Sequence, residues 1–354
     1  MTTTASIATH YEQFLHLLTR DTRDPVQAPV QASGTAEVHR PASARYGERV
    51  DPSGGSQPIV LTRDEWIRNQ IDLTLALGRL LTVDDVVVSA VPYELSFIGA
   101  EVDRVIEMVG ASVISVGTSG TICPMPRLLG LIEQYEVTAL VCSPSFAAEL
   151  ASLAVSLGRR PADSTIRTIV CVGEACSAER LDRVATAWAA RTSTLYGTPS
   201  TPTVAVACDH GALHLCDHRL RAEVRGGLRG ELLLDGAPTG EVVELWPADR
   251  RCDCGSTSRV LVPLGSTASA IRGPDGLVSA LDVERVVFGH RRLAPHFDCV
   301  VRDGTFHVTC AVADPRAVDV GAMRRAIRSG IGDALGVEAE VTVVGVTDWS
   351  TATP

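Results

Sequence analysis

Between residues 86 and 191, short unbroken apolar runs alternate with stretches of helical periodicity. Val86–Val91, Ser112–Val116, Ala139–Cys142 and Thr168–Val172 read as strands. Ile98–Gly110, Arg127–Tyr135, Ser145–Leu157 and Ala178–Arg191 read as helices. A strand covered on both faces loses the polar half of its alternation, and parallel strands need crossover segments between them. The order therefore predicts an α/β domain with a mostly parallel sheet. Apolar residues make up 45% of the chain and aromatics only 4%, so the core must be built from Val, Leu, Ile and Ala.

On either side the pattern changes. Tyr11, Phe14, Leu15, Leu17 and Leu18 give the first 20 residues a rough helical face, and the Pro-, Ser- and Gly-rich residues 22–58 read as loop. A helix is expected over Leu61–Leu81, with Thr62 as N-cap and Glu65 completing a capping box. After Tyr196, short strands and Gly/Pro turns predict a β-rich subdomain over about residues 203–265. From Leu281 the expected order is helix (Val283–Phe288), a hairpin about Asp303-Gly304 (Phe297–Arg302 and Thr305–Ala313), helix (Val320–Leu335, ended by Gly336) and strand (Ala339–Val346). That order suits a small α+β domain. The expected division is 1–270 for the large domain and 278–354 for the small one.

The net charge of −10 argues against nucleic-acid or anionic-membrane binding, which need basic patches. The N-terminus lacks a basic region followed by an apolar one, and no run of 18 apolar residues occurs. Ten cysteines without a secretion signal read as cytoplasmic thiols or metal ligands. All 32 basic Lys-or-Arg positions are arginine; the chain has no lysine. Any chemistry assigned to it must work without that mobile point charge.

Four constellations could carry chemistry. Cys208, His210, His214, Cys216 and His218 precede Cys252-Asp-Cys254-Gly. Two close ligand pairs on turns, separated by a longer excursion, are an economical way to build a tetrahedral N/S zinc site. Cys208, His214, Cys252 and Cys254 are the preferred set, with His210, Cys216 and His218 as substitutes. Such a closed site would be structural. Ser33-Gly34-Thr35 lies in polar loop and could wrap a phosphate, as could Thr118-Ser119-Gly120-Thr121. Val172-Gly173-Glu174 and Leu195-Tyr196-Gly197-Thr198 follow apolar strands, and ligands of parallel sheets bind beyond strand carboxyl ends.

Taken in order, the Ser-Gly-Thr loop, Ser143-Pro144-Ser145, Gly173-Glu174, Tyr196-Gly197, the Cys/His cluster and the small terminal domain resemble one family. It is the phenylacetate–coenzyme A ligase-like branch of the adenylate-forming superfamily, and the similarity runs from about residue 30 to about 348. The resemblance implies that Ser33, Gly34 and Thr35 bind phosphate, and that Gly173, Glu174, Tyr196 and Gly197 bind adenine. It places Asp249 on the ribose, Tyr93 and Phe97 near an aryl acid pocket, and Cys208, His214, Cys252 and Cys254 on a structural zinc. It further implies ATP with magnesium, a small carboxylic acid, a thiol acceptor such as coenzyme A or a carrier protein, and a homodimer.

The chain departs from the family pattern at several charged positions. Ser200 stands where the family has a magnesium-binding glutamate. The phosphate loop continues Ala36-Glu37-Val38-His39 without its lysine, and Glu37 would face the triphosphate unfavourably. Gly265-Ser266-Thr267-Ala268-Ser269 replaces the hinge Gly-Arg-x-Asp-Asp, and the sequence given ends at Pro354, about where the catalytic lysine would follow. Two readings result. One is an atypical adenylate-forming enzyme for acyl activation or transfer in a specialised biosynthetic pathway. The other is a degenerate pseudo-enzyme that binds a ligand or partner.

Overall fold

A computed structural model describes residues 45–50, 56–217, 220–274 and 276–352. The expected first helix and the Ser33-Gly34-Thr35 loop with its Glu37 lie outside these residues, as does His218. Part of the segment expected as loop is instead an antiparallel hairpin, β1 (Arg45–Val50) and β2 (Ser56–Leu61). Neither strand has a clean apolar alternation, and Pro58 sits in β2, so local sequence gave no strand signal.

The alternating region folds as a wound sheet. Helix α1 (Arg63–Leu77) starts at the expected capping box: Thr62 and Glu65 exchange side-chain and backbone hydrogen bonds. It stops four residues short of the expected end, at Gly78. Then follow β3 (Val86–Ala90), α2 (Ile98–Val109), β4 (Ser112–Ser115), α3 (Met125–Gln134), β5 (Ala139–Cys142) and α4 (Pro144–Ser156). After β6 (Thr168–Cys171) and α5 (Ala178–Trp188), Ala189 turns left-handed and ends the helix early, so Arg191 begins β7 (Arg191–Thr198). Strands β4, β3, β5, β6 and β7 pair in parallel. Their side chains divide by parity. Leu140, Cys142, Ile169 and Cys171 pack with Leu128, Leu150 and Trp188 of α3, α4 and α5. Ala139, Val141 and Val170 pack on the other face with Leu73, Leu77, Val102 and Ile106 of α1 and α2. Two covered faces are the physical reason for the unbroken apolar runs.

The β-rich segment continues this sheet. Beyond β7 come β8 (Thr201–Ala207), β9 (Leu213–Leu215), β10 (Ala222–Arg225), β11 (Arg229–Leu234), β12 (Ala237–Leu245) and β13 (Val260–Ser266). They extend it antiparallel to 11 strands, in the order β10-β11-β12-β13-β9-β8-β7-β6-β5-β3-β4. The change of direction occurs at the tight β7–β8 turn.

A short hairpin, β14 (Ala270–Gly273) and β15 (Gly276–Ser279), leads to the small α+β unit. It holds α6 (Ala280–Phe288), β16 (Leu293–Arg302), β17 (Thr305–Val312), α7 (Val320–Leu335) and β18 (Ala339–Gly345). The hairpin turns at Asp303-Gly304 as expected, both with positive φ, although β16 begins four residues before the expected Phe297. Its own core includes Val283, Val287, Phe306, Val308, Ile327 and Ile331. Among the described residues no helix is long and apolar enough to cross a membrane.

Candidate active site

A cavity of about 1250 Å³ opens at the carboxyl ends of the parallel strands. Its floor comes from Ala90–Pro92 after β3, Ser143 and Ser145 after β5, Val172–Ser177 after β6 and Thr194–Thr198 of β7. The antiparallel half of the sheet supplies His210–Leu213, Trp246, Arg250–Asp253 and Val260–Pro263. The small unit contributes Leu281 and Arg285 of α6. Loops where strand direction changes leave such a crevice without disturbing the ladder.

Gly173, Glu174, Tyr196 and Gly197 all line this cavity. Two of these positions need glycine. Gly173 has φ +89°, a left-handed conformation that ends β6 and turns the chain toward α5. A Cβ on Gly197 would lie 2.1 Å from the Pro202 carbonyl oxygen, so no side chain fits where β7 closes on β8. Among the described residues the buried Tyr196 hydroxyl has no hydrogen-bond partner, and burial holds its pKa well above the usual phenol value.

Glu174 is held in place rather than free. It accepts from the Ser145 amide (3.2 Å), the Ser145 hydroxyl (2.8 Å) and Arg180 Nη1 (3.2 Å). Arg180 is fully buried. Its other contacts are Glu284 Oε2 (3.3 Å), the Ser145 hydroxyl (2.6 Å from Nη2) and the Pro295 carbonyl (3.0 Å from Nε). Glu284 also accepts from the Ser177 amide at 2.7 Å. One guanidinium thus joins the cavity floor to two elements of the small unit. Arg183 adds bonds to the carbonyls of Phe288, His290 and Leu293. Nearby, Trp349 donates to Glu149 (3.2 Å) and packs edge-on against His296, 5.1 Å between centroids. Burial keeps His296 neutral, its pKa drawn down to about 4, and raises Glu149, which lines the cavity.

The remaining expected positions are placed differently. Asp249 is exposed and outside the cavity lining, although its neighbour Arg250 lines it and stacks over Trp246 at 3.6 Å. Tyr93 and Phe97 are not lining residues, whereas Pro92, Ser96 and Ile98 are. The Tyr93 hydroxyl points to Ser89 (3.0 Å) and donates to Asp103 (2.7 Å), and Phe97 is buried. Ser200 sits in the β7–β8 turn beside Thr198. Ser266 and Ser269 bond to each other rather than reaching into the cavity.

Cys208, His214, Cys252 and Cys254 converge, their ligand atoms all within 4.8 Å of one another. Cys208 and Cys252 sulfurs are 3.7 Å apart, and Cys254 Sγ lies 3.2 Å from His214 Nε2. A tetrahedron of thiolate and imidazole ligands around zinc has edges of roughly 3.3–3.8 Å. The donor set is of the kind zinc takes, and these two separations lie close to those edges. His214 Nδ1 meets the Ser258 carbonyl at 3.0 Å, which orients the ring with Nε2 inward. The Cys254 backbone amide, then His214, draw the Cys252 thiol down to about 6, while the thiol of Cys254 is raised beside it. Cys216 stands apart from this quartet, its thiol pushed up to about 11 by burial, and His210 faces the cavity.

Sequence reasoning missed Arg180, Glu284 and Arg285. One signal was available: Arg180 sits in the first turn of α5, where a cation opposes the helix dipole unless acids compensate it.

No protein-family model matches the chain, and comparison with curated proteins gives no match. Solved structures do match. A 2-hydroxyisobutyryl-CoA ligase, in the postadenylation state with 2-HIB-AMP, superposes with a TM-score of 0.71 at 14% identity, over 85% of this chain and 70% of that one. A benzoate CoA ligase from Burkholderia xenovorans LB400 gives 0.59 at 15% identity, over 82% and 63%. An amide bond synthetase from Marinactinospora thermotolerans gives 0.58 at 18% identity, over the same shares of 82% and 63%. The wound sheet, its antiparallel extension and the small terminal unit together have the fold of the adenylate-forming acyl-CoA ligases.

Proposed function

We propose that the cavity binds a nucleotide-linked acyl group, and that the chain is an atypical adenylate-forming-type enzyme for an aryl or small carboxylic acid. The observation that carries this reading is the joint placement of Gly173-Glu174 and Tyr196-Gly197 on one cavity floor beyond the strand ends. In this reading, the side-chain-free face of Gly173, which meets nothing within 4 Å, lets a flat base approach the backbone, while Gly197 lets β7 close on β8 beside it. The Trp246–Arg250 stack offers a second planar surface. Leu195 and Ile98 exclude water from the acyl group.

ATP with magnesium supplies the activating group in enzymes of this fold; here the cations facing such a ligand are Arg250, Arg251 and Arg285. Ser200 in place of an acid, and Glu174 already committed to Arg180, favour acyl transfer or a half-reaction over full ATP-dependent ligation. The acceptor in that case is a thiol of coenzyme A or a carrier protein. The same two observations favour the second reading, a pseudo-enzyme that binds the ligand without turnover.

Cys208, His214, Cys252 and Cys254 form a structural zinc site in this proposal. Two of its turns, His210–Gly211 and Arg250–Asp253, are cavity wall, so the metal would hold that wall in shape.

The test is pyrophosphate exchange and AMP release with a panel of aryl and short acyl acids, alongside calorimetric titration of ATP and AMP. ATP-dependent turnover establishes the enzyme and removes the second reading. Nucleotide binding without turnover supports the second. Absence of any nucleotide binding by folded protein overturns both. Metal analysis of the same preparation should return about one zinc per chain, and less than about half an equivalent counts against the quartet.

A further inference from the structure

Without lysine, a permanent side-chain cation for a phosphate or carboxylate has to be arginine, and among the described residues the cavity lining offers three. They differ in how they are held. Arg250 sits over the Trp246 indole, with its charge already above a ring face. Arg251 extends from the same loop and gives a long 3.4 Å bond to the Thr257 carbonyl. Arg285 is different: it stands on a helix, one residue after the most deeply anchored acid of the small unit.

That acid is Glu284, 1% exposed. Arg180 Nη1 and the Ser177 amide hold its two oxygens. Both donors belong to the cavity-floor side of the boundary. Leu281, four residues before Arg285 and so on the same helical face, also lines the cavity. Arg229 of β11 fixes the start of α6 by bonding Asp282 and the Leu277 carbonyl. Rotation of α6 is therefore blocked at both positions, and Arg285 is delivered to the cavity. Among the described residues its guanidinium has one loose partner, Asp282 Oδ1 at 3.6 Å, and the side chain is 45% exposed. Asp282 is shared with Arg229, which leaves the Arg285 fork open for a ligand.

We propose that Arg285 is the cation that receives the anionic group of the ligand, and that Glu284, clamped by Arg180, is the residue that positions it. This rests on the reading of the cavity as a nucleotide-type site. A guanidinium on a fixed helix, rather than on a loop, approaches the anion with its orientation already set. Its planar fork can hold a phosphate or carboxylate through two parallel bonds, which a point charge cannot.

The test uses AMP and adenosine, which differ by the phosphate alone, titrated into the whole chain by calorimetry. Wild-type protein should prefer AMP. Arg285→Gln should lose about tenfold in AMP affinity while adenosine affinity stays unchanged. Arg285→Lys should recover only part of the loss. Glu284→Gln keeps the shape of the side chain but weakens the clamp. It should reduce the AMP-to-adenosine preference, which a general loss of packing would not do selectively. If wild type binds AMP and Arg285→Gln keeps the full preference, the inference is overturned while the reading of the cavity stands. If wild type binds neither probe, the reading of the cavity falls and the inference with it.

Discussion

Replacing Arg180 with Met tests whether a single guanidinium holds the small unit on the large one. The side chain is 2% exposed, as is that of Glu284, so neither charge is hydrated. Met fills much of the same volume and removes the charge and all four polar contacts. Glu284 then keeps Ser177, with Glu174 as a like-charged neighbour. Removing one partner of a buried pair typically costs about 3–5 kcal/mol, because the other charge stays buried. Urea unfolding at pH 7.5 should show a loss of that size. Hydrogen exchange should quicken first in peptides from α6 and β16, the elements that Arg180 reaches. The double variant Arg180→Met, Glu284→Leu removes the stranded charge as well. It should recover about 2 kcal/mol or more relative to the single variant, since an apolar pair of similar size often replaces a buried ion pair at little cost. A loss under about 1 kcal/mol for Arg180→Met, or no recovery in the double variant, would refute the reasoning.

Two further perturbations address the core and the cavity floor. The Glu101 carboxyl is buried with neither oxygen hydrogen-bonded among the described residues, and burial, opposed by Arg45, pushes its pKa up to about 8. The unfolded chain releases this proton near 4.5 and the native protein near 8, so between these values the native state binds the extra proton. Stability should therefore fall as pH rises through that window, by up to about 5 kcal/mol, and level off above it. Urea midpoints from pH 5 to 8.5 should lose this slope in Glu101→Gln; parallel curves for the two proteins would show that Glu101 is not the cause. Gly197→Ala should destabilise by about 3 kcal/mol or more, because the new methyl meets the Pro202 carbonyl where β7 closes on β8. A Gly197→Ala protein with an unchanged unfolding midpoint would mean that this turn is looser than the 2.1 Å approach implies.

Much of the fold was legible because it depends on local chemistry. The Thr62–Glu65 box, the Asp303-Gly304 turn and the two-sided burial of β5 and β6 leave marks within a few residues. The hairpin of β1 and β2 left none, because its strands lack alternation and carry a proline. For the cavity, sequence order located Gly173-Glu174 and Tyr196-Gly197, whose glycines answer to backbone geometry. Tyr93, Phe97 and Asp249 stand beside lining residues rather than among them, since the lining falls to neighbours such as Pro92, Ser96, Ile98 and Arg250. A one-residue shift in a loop changes which side chain faces inward, and no periodic pattern records it. The clamp was less legible still: Arg180 and Glu284 are 104 residues apart in the chain.

The absence of lysine gains a structural meaning at these positions. Genome composition can exchange lysine for arginine at exposed sites with little consequence. Arg180 is not such a site, since its guanidinium serves acceptors on three sides: Glu174 and Glu284, the Ser145 hydroxyl and the Pro295 carbonyl. Arg183 likewise divides its fork among three carbonyls at and beyond the end of α6, where a cation also complements the helix dipole. An ammonium group has three donors on one atom and cannot span acceptors set so far apart. Both arginines join the cavity-floor helix to the small unit. A chain limited to arginine thus gains rigidity at this boundary and gives up the mobile point charge that lysine offers. The consequence for the cavity is direct. Its cations must be placed by the fold in advance, and the helix carrying Arg285 is held at both Glu284 and Asp282.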